Sequence, residues 1–150
     1  MVATTATAPA SDTITLRLAR TLPAPRERVF RAWTRPEQVK QWSAPHDASV
    51  AECEIDLRVG GRYRIAMQRP NGERYTVGGI YQEVNPPARL VYTWQWEGRP
   101  DETLVTIEFN DRGAETELVL THTRFASAEE RGKHEHGWTG CLDKLEKVMG

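Results

Sequence analysis

The chain has 150 residues, with Lys plus Arg at 20, Asp plus Glu at 21, and a formal net charge of −1. One domain of that length buries about 70% of its unfolded surface and needs no disulfide or metal staple to hold a core. The balanced charge offers no nucleic-acid footprint or membrane-seeking basic face, and no apolar run approaches the length of a bilayer span.

The opening residues, MVATTATAPASD, lack the positive and apolar regions of a secretory signal. Their Ala, Thr and Pro content buries too little to offset the entropy of ordering. Residues 1–12 are therefore expected as a disordered tail and residues 13–150 as a single domain. The first strand follows, with Ile14, Leu16 and Leu18 alternating against Thr15, Arg17 and Ala19. Pro25 opens a helix, where its missing N–H costs nothing, and Val29, Phe30 and Trp33 share its inner face. Thr34 and Glu37 have capping-box spacing around Pro36, which predicts a second short helix with Val39 and Trp42 inward.

From Ser49 the period changes to two: Ala51, Cys53, Ile55 and Leu57 face one way, Glu52, Glu54 and Asp56 the other. Asp56 and Arg58 read as a strand-end ion pair, and Gly60-Gly61 permits the turn into the next strand. There Tyr63, Ile65 and Met67 share a face. Asn71-Gly72 predicts a type I′ hairpin, whose central residues both need positive φ. Gly78-Gly79, inside TVGGIYQEV, points to a bulge or a sharp bend. Leu90, Tyr92, Trp94 and Trp96 share the next inner face, then Thr103, Val105, Ile107 and Phe109, then Leu118, Leu120 and His122. Tight turns between consecutive strands make strands two to seven an antiparallel meander. Ser127 and Glu130 form a capping box for the last helix. Trp138, Cys141, Leu142, Leu145, Val148 and Met149 make its apolar stripe, while Asp143, Lys144, Glu146 and Lys147 lie outside.

Two roles are open to the aromatic load of Trp33, Trp42, Tyr63, Tyr92, Trp94 and Trp138: ordinary core packing, or the lining of an apolar ligand cavity. His122 and His134 share this interior, either as satisfied buried imidazoles or as polar handles for a ligand. His134 and His136 sit two apart on a helix, roughly 200° around it, and cannot share a metal. Cys53 and Cys141 lack metal spacing and read as small buried thiols, reduced in a cytoplasm. The carboxylates mostly occupy outward phases. With Trp138 and Leu142 beside it, Cys141 has no sequence support for a lowered thiol pKa, and no Gly-rich phosphate loop opens a helix. Neither a catalytic set, a metal nor a cofactor is expected.

Four segments carry a resemblance, in this order: PRERVFRAWTRPEQVKQW, DLRVGGRY, GGIYQEVNPPARLVYTW and HGWTGCLDKLEKV. Together they resemble the family named after the activator of the heat-shock-protein-90 ATPase, in the START-like, birch-pollen-allergen-like superfamily. The resemblance implies an α+β helix-grip fold: a curved seven-stranded antiparallel sheet around a long C-terminal helix, with two short helices between strands one and two. It also implies an internal apolar cavity, since relatives bind lipids, flavonoid-like aromatics or polyketides and a minority are cyclases or hydrolases. Fold alone does not give function. The leading expectation is non-catalytic binding of a small hydrophobic or aromatic molecule. The residues expected to bind it are Trp33, Trp42, Tyr63, Met67, Tyr92, Trp94, Leu118, Leu120, His122, His134, Trp138 and Cys141. One alternative is a co-chaperone-like protein stimulating the heat-shock-protein-90 ATPase in the stress response. It loses ground because the eukaryotic activator carries an additional domain. The other alternative is a cyclase or hydrolase. A monomer or weak homodimer is expected.

Overall fold

Alternating apolar residues and short turns commit most of the chain to one antiparallel sheet. The computed structural model describes residues 14–150, so the tail expected over residues 1–12 lies outside the described residues. The strands are β1 (Ile14–Leu22), β2 (Ser49–Ile55), β3 (Arg62–Gln68), β4 (Arg74–Asn85), β5 (Arg89–Trp96), β6 (Thr103–Arg112) and β7 (Glu115–Phe125). The helices are α1 (Arg26–Thr34), α2 (Pro36–Val39) and α3 (Ala128–Met149). The sheet order is β1-β7-β6-β5-β4-β3-β2, antiparallel throughout. The two short helices fall between the first and second strands, and α3 packs on the sheet's inner face. This is the helix-grip architecture.

The last helix starts where the capping box predicts: Ser127 Oγ accepts from the Glu130 backbone N–H at 3.1 Å. Glu129 and Glu130 in its first turn and Lys147 in its last complement the helix dipole. Trp138, Cys141, Leu142, Leu145 and Met149 are buried in one cluster with Leu16, Ile107, Leu118 and Leu120. The helix lies against β1 and β7, tied to β1 by Arg20 reaching Asp143 at 2.8 Å and Glu146 at 3.2 Å.

Three local readings are corrected. Thr34 does not cap α2; it belongs to the last turn of α1, where its hydroxyl donates back to the Phe30 carbonyl at 2.8 Å. Arg35 caps α2 without a side-chain bond, held extended because it precedes Pro36. The Asn71-Gly72 hairpin is not type I′, since only Gly72 has positive φ, at 91°. Pro70 presets a type I bend from Arg69 to Gly72, closed by the Gly72 N–H to the Arg69 carbonyl at 2.8 Å. Finally, the register shift in β4 lies between Tyr81 and Glu83, beyond the glycine pair. Gly79 serves close approach instead: a Cβ there would stand 2.0 Å from the Thr93 carbonyl oxygen of β5. The Asp56–Arg58 pair forms at 2.9 Å, at the surface.

Candidate functional site

Because α3 covers the β1–β7 side of the sheet, the half built by β3, β4 and β5 is left open at one end. A cleft of about 750 Å³ occupies that place. Met67, Tyr75, Trp94 and Trp96 supply its sheet wall, and His134, Gly137, Trp138 and Cys141 its helix wall. The loop of residues 43–48, after α2, forms a third side. Its position is fixed by α3. Lys144 Nζ donates to the Ala44 and Ala48 carbonyls at 2.5 and 2.9 Å, so Lys144 does not stand free on the outer face, as the helical pattern predicts. His46, at φ 54°, stacks on His136 at 4.2 Å and seats its ring against Gly140.

Of the twelve expected binding residues, Met67, Trp94, His134, Trp138 and Cys141 line the cleft. Trp33, Trp42, Tyr63 and Tyr92 instead pack deeper, around a void of about 20 Å³ that Trp94, Trp138 and Ser43 share with the cleft. Leu118, Leu120 and His122 are fully buried and line neither space. They lie on β7, where the helix fills the sheet face. Sequence reasoning missed Tyr75, Trp96 and the whole 43–48 loop as cleft walls. The phase of Tyr75 was available from its pairing with Met67 across the hairpin; the loop, SAPHDA, has no periodicity to read.

Both interior histidines act as acceptors for tryptophan. Trp138 Nε1 donates to His122 Nδ1 at 3.0 Å, which leaves the His122 proton on Nε2, facing Thr103 Oγ1 at 2.7 Å. Thr103 in turn donates to the Trp94 carbonyl at 3.1 Å. Burial, helped by the neighbouring His134, pushes His122 down to about 2. Trp96 Nε1 donates to His134 Nε2 at 3.0 Å, while His134 Nδ1 gives its proton to the Glu130 carbonyl at 2.8 Å. Burial lowers His134 as well. Two neutral imidazoles with their nitrogens committed are poor proton carriers at neutral pH. Burial also pushes the Cys141 thiol up to about 12 and that of Cys53 to about 11, which withholds the thiolate that nucleophilic chemistry needs. Trp94 is different: its Nε1 is buried and has no hydrogen-bond partner among the described residues.

Around the rim, Arg74 pairs with Glu52 at 3.2 Å, Arg99 with Glu130 at 3.3 Å, and Lys133 with the same Glu130 at 3.4 Å. Arg69 pairs with Glu73 and covers the Tyr75 ring at 4.6 Å. Among the described residues no three His, Cys, Asp or Glu side chains converge as a metal group. No helix among them is long and apolar enough to cross a membrane.

A model of the family described as Activator of Hsp90 ATPase homolog 1-like protein matches residues 23–150. Among solved structures the chain is similar to the AHSA1 protein of Silicibacter pomeroyi, with 30% identity over 90% of this chain and 96% of that one, at a TM-score of 0.82. A protein of Chromobacterium violaceum is 28% identical over 90% and 96% of the two chains, with a TM-score of 0.81. One of Nitrosomonas europaea is 29% identical over 90% and 93%, with a TM-score of 0.78. No curated protein matches the chain.

Proposed function

This chain belongs to the Activator of Hsp90 ATPase homolog 1-like family, and from that premise we propose that it binds a small hydrophobic or aromatic molecule without converting it. The proposed site is the cleft over β3, β4 and β5. The observation that carries the reading is the contrast between two spaces. The interior is packed down to a void of about 20 Å³, while a cleft of about 750 Å³ stays open beside Met67, Tyr75, Trp94, Trp96 and Trp138. That volume and aromatic lining suit a concave ligand site.

A ligand burying about 300 Å² of apolar surface there gains roughly 7.5 kcal/mol gross at about 25 cal/mol/Å². The entropy lost on association leaves the net weaker than micromolar unless polar contacts add to it. The raised thiols and the committed imidazoles favour binding over conversion. Cys53 and Cys141 are free, which suits a reducing cytoplasm as its compartment. The chaperone reading ranks second because the family's description is its support; a dose-dependent rise in chaperone ATPase turnover would promote it.

Tryptophan fluorescence tests the binding reading directly, because the sheet wall of the cleft carries Trp94 and Trp96 and the helix wall Trp138. Titration with aromatic and fatty-acyl compounds is expected to give saturable quenching and a rise in Tm, since a ligand bound only by the folded state stabilises it. A chemically diverse apolar library with neither signal would overturn the proposal.

A further inference from the structure

Buried N–H groups are as a rule paired, because an unpaired one loses its hydration and gains nothing in exchange. Of the five tryptophans, four obey. Trp33 donates to Tyr92 Oη, Trp42 to the Ala32 carbonyl, Trp96 to His134 and Trp138 to His122. Trp94 is 5% exposed and its Nε1 is buried without a partner among the described residues. Its ring borders both the open cleft and the inner void. At about 20 Å³ the void has room for one oxygen-sized group, since about 10–15 Å³ measured this way holds a water. Tyr92, on the same void, accepts from Trp33 and retains its own hydroxyl proton.

The charges decide what kind of oxygen fits. Arg69, Arg74, Arg99 and Lys133 on the rim are each already paired with a carboxylate. His134 on the helix wall and the fully buried His122 spend their lone pairs on Trp96 and Trp138 and carry no positive charge to offer. A carboxylate pushed down to Trp94 would meet uncharged donors and no unpaired cation, and an anion solvated so thinly is costly to bury. A neutral carbonyl oxygen is satisfied by one or two N–H or O–H donors.

We infer that the molecule bound in the cleft is an uncharged carbonyl compound, a ketone or an amide on an aromatic or acyl body, whose oxygen enters the inner void and accepts from Trp94 Nε1. The inference rests on the cleft being the binding site. Trp94 then reads the ligand's polar end, and Met67, Tyr75, Trp96 and Trp138 receive its apolar body.

Three naphthalenes with one shared body test it: 2-acetylnaphthalene, its hydrocarbon isostere 2-isopropenylnaphthalene, and 2-naphthoate. Protein carrying 15N at the indole nitrogens gives one signal per tryptophan, and the Trp94→Phe variant assigns that of Trp94. The ketone is expected to move the Trp94 Hε1 signal downfield and to bind roughly tenfold tighter than the hydrocarbon, as pairing a buried donor does. Naphthoate is expected to bind weakest. In Trp94→Phe the ratio of ketone to hydrocarbon affinity falls to about one; should that variant not fold, the wild-type order of ketone, hydrocarbon and naphthoate affinities decides alone. Equal affinity for ketone and hydrocarbon, or tightest binding of naphthoate, overturns the inference and leaves the cleft reading standing. So does failure of all three in a protein that binds other members of the apolar library. Failure across the entire library overturns both.

Discussion

Replacing His122 by Gln is expected to remove a slope from the protein's acid stability while keeping the fold. The imidazole is fully buried, accepts from Trp138 and donates toward Thr103; a glutamine amide also has one acceptor and one donor end for those partners. In the folded state burial holds His122 near 2 against an ordinary 6.5. Below pH 6.5 the unfolded chain therefore takes up a proton that the folded chain refuses. The stability this group supplies is complete above pH 6.5 and is lost as pH falls toward 2. Each unit in that range costs about 1.4 kcal/mol, so a fall to about pH 5 removes roughly 2 kcal/mol. That is a large share of a total stability of about 5–15 kcal/mol. Ordinary carboxylates titrate near pH 4, which leaves this window to histidine, and His134 is present in both proteins and largely cancels. Urea unfolding followed by tryptophan fluorescence at several pH values between about 7.5 and 5 measures the effect. Wild type should lose about 2 kcal/mol more than His122→Gln over that span. Parallel stability curves would refute the buried neutral imidazole.

Trp138→Ala is expected to cost about 3–5 kcal/mol in the same urea assay, whereas Lys147→Ala on the exposed face should stay within about 0.5 kcal/mol; equal effects would place the helix stripe wrongly. Lys144→Ala frees the carbonyls of Ala44 and Ala48, so it should loosen the 43–48 loop and weaken the quenching titration several-fold, with a Tm shift small beside that of Trp138→Ala. Gly79→Ala sets a methyl 2.0 Å from the Thr93 carbonyl oxygen, and a soluble variant with wild-type Tm would contradict the close packing of β4 on β5. Cys141, buried and raised to about 12, is expected to resist thiol reagents at about pH 8 until denaturant is added; rapid labelling of the native protein would show an exposed or activated thiol.

The regular parts of this fold could be read because burial imposes a period. Strand alternation located the inner faces of β3, β5, β6 and β7, and the i, i+3, i+4 stripe from Trp138 to Met149 located the buried face of α3. Which inner-facing residues meet a cleft and which meet a neighbouring side chain is a different matter. Trp94 and Leu120 have the same inward phase, yet Trp94 borders open space and Leu120 lies where the helix presses on β7. That distinction depends on where α3 crosses the sheet, and no local period encodes a crossing. The loop of residues 43–48 was hidden for a related reason: its place comes from Lys144 and Gly140, about a hundred residues away in sequence. The turn at Asn71-Gly72 failed more simply, because Pro70 governs the bend one residue earlier than the strongest hairpin dipeptide suggested.

The sheet order also bears on how the chain assembles. Strands β2 through β7 pair with their neighbours in sequence, so each hairpin closes a short loop at modest entropic cost. β1 alone pairs across almost the whole chain, setting Leu18 beside Leu120 and Arg20 beside Leu118. Closing that pair confines everything between, which raises the mean sequence separation of contacts and slows folding in proportion to topology rather than to stability. Entropy thus favours a succession of hairpins and a late arrival of β1, bringing α1 and α2 with it to close the end of the grip.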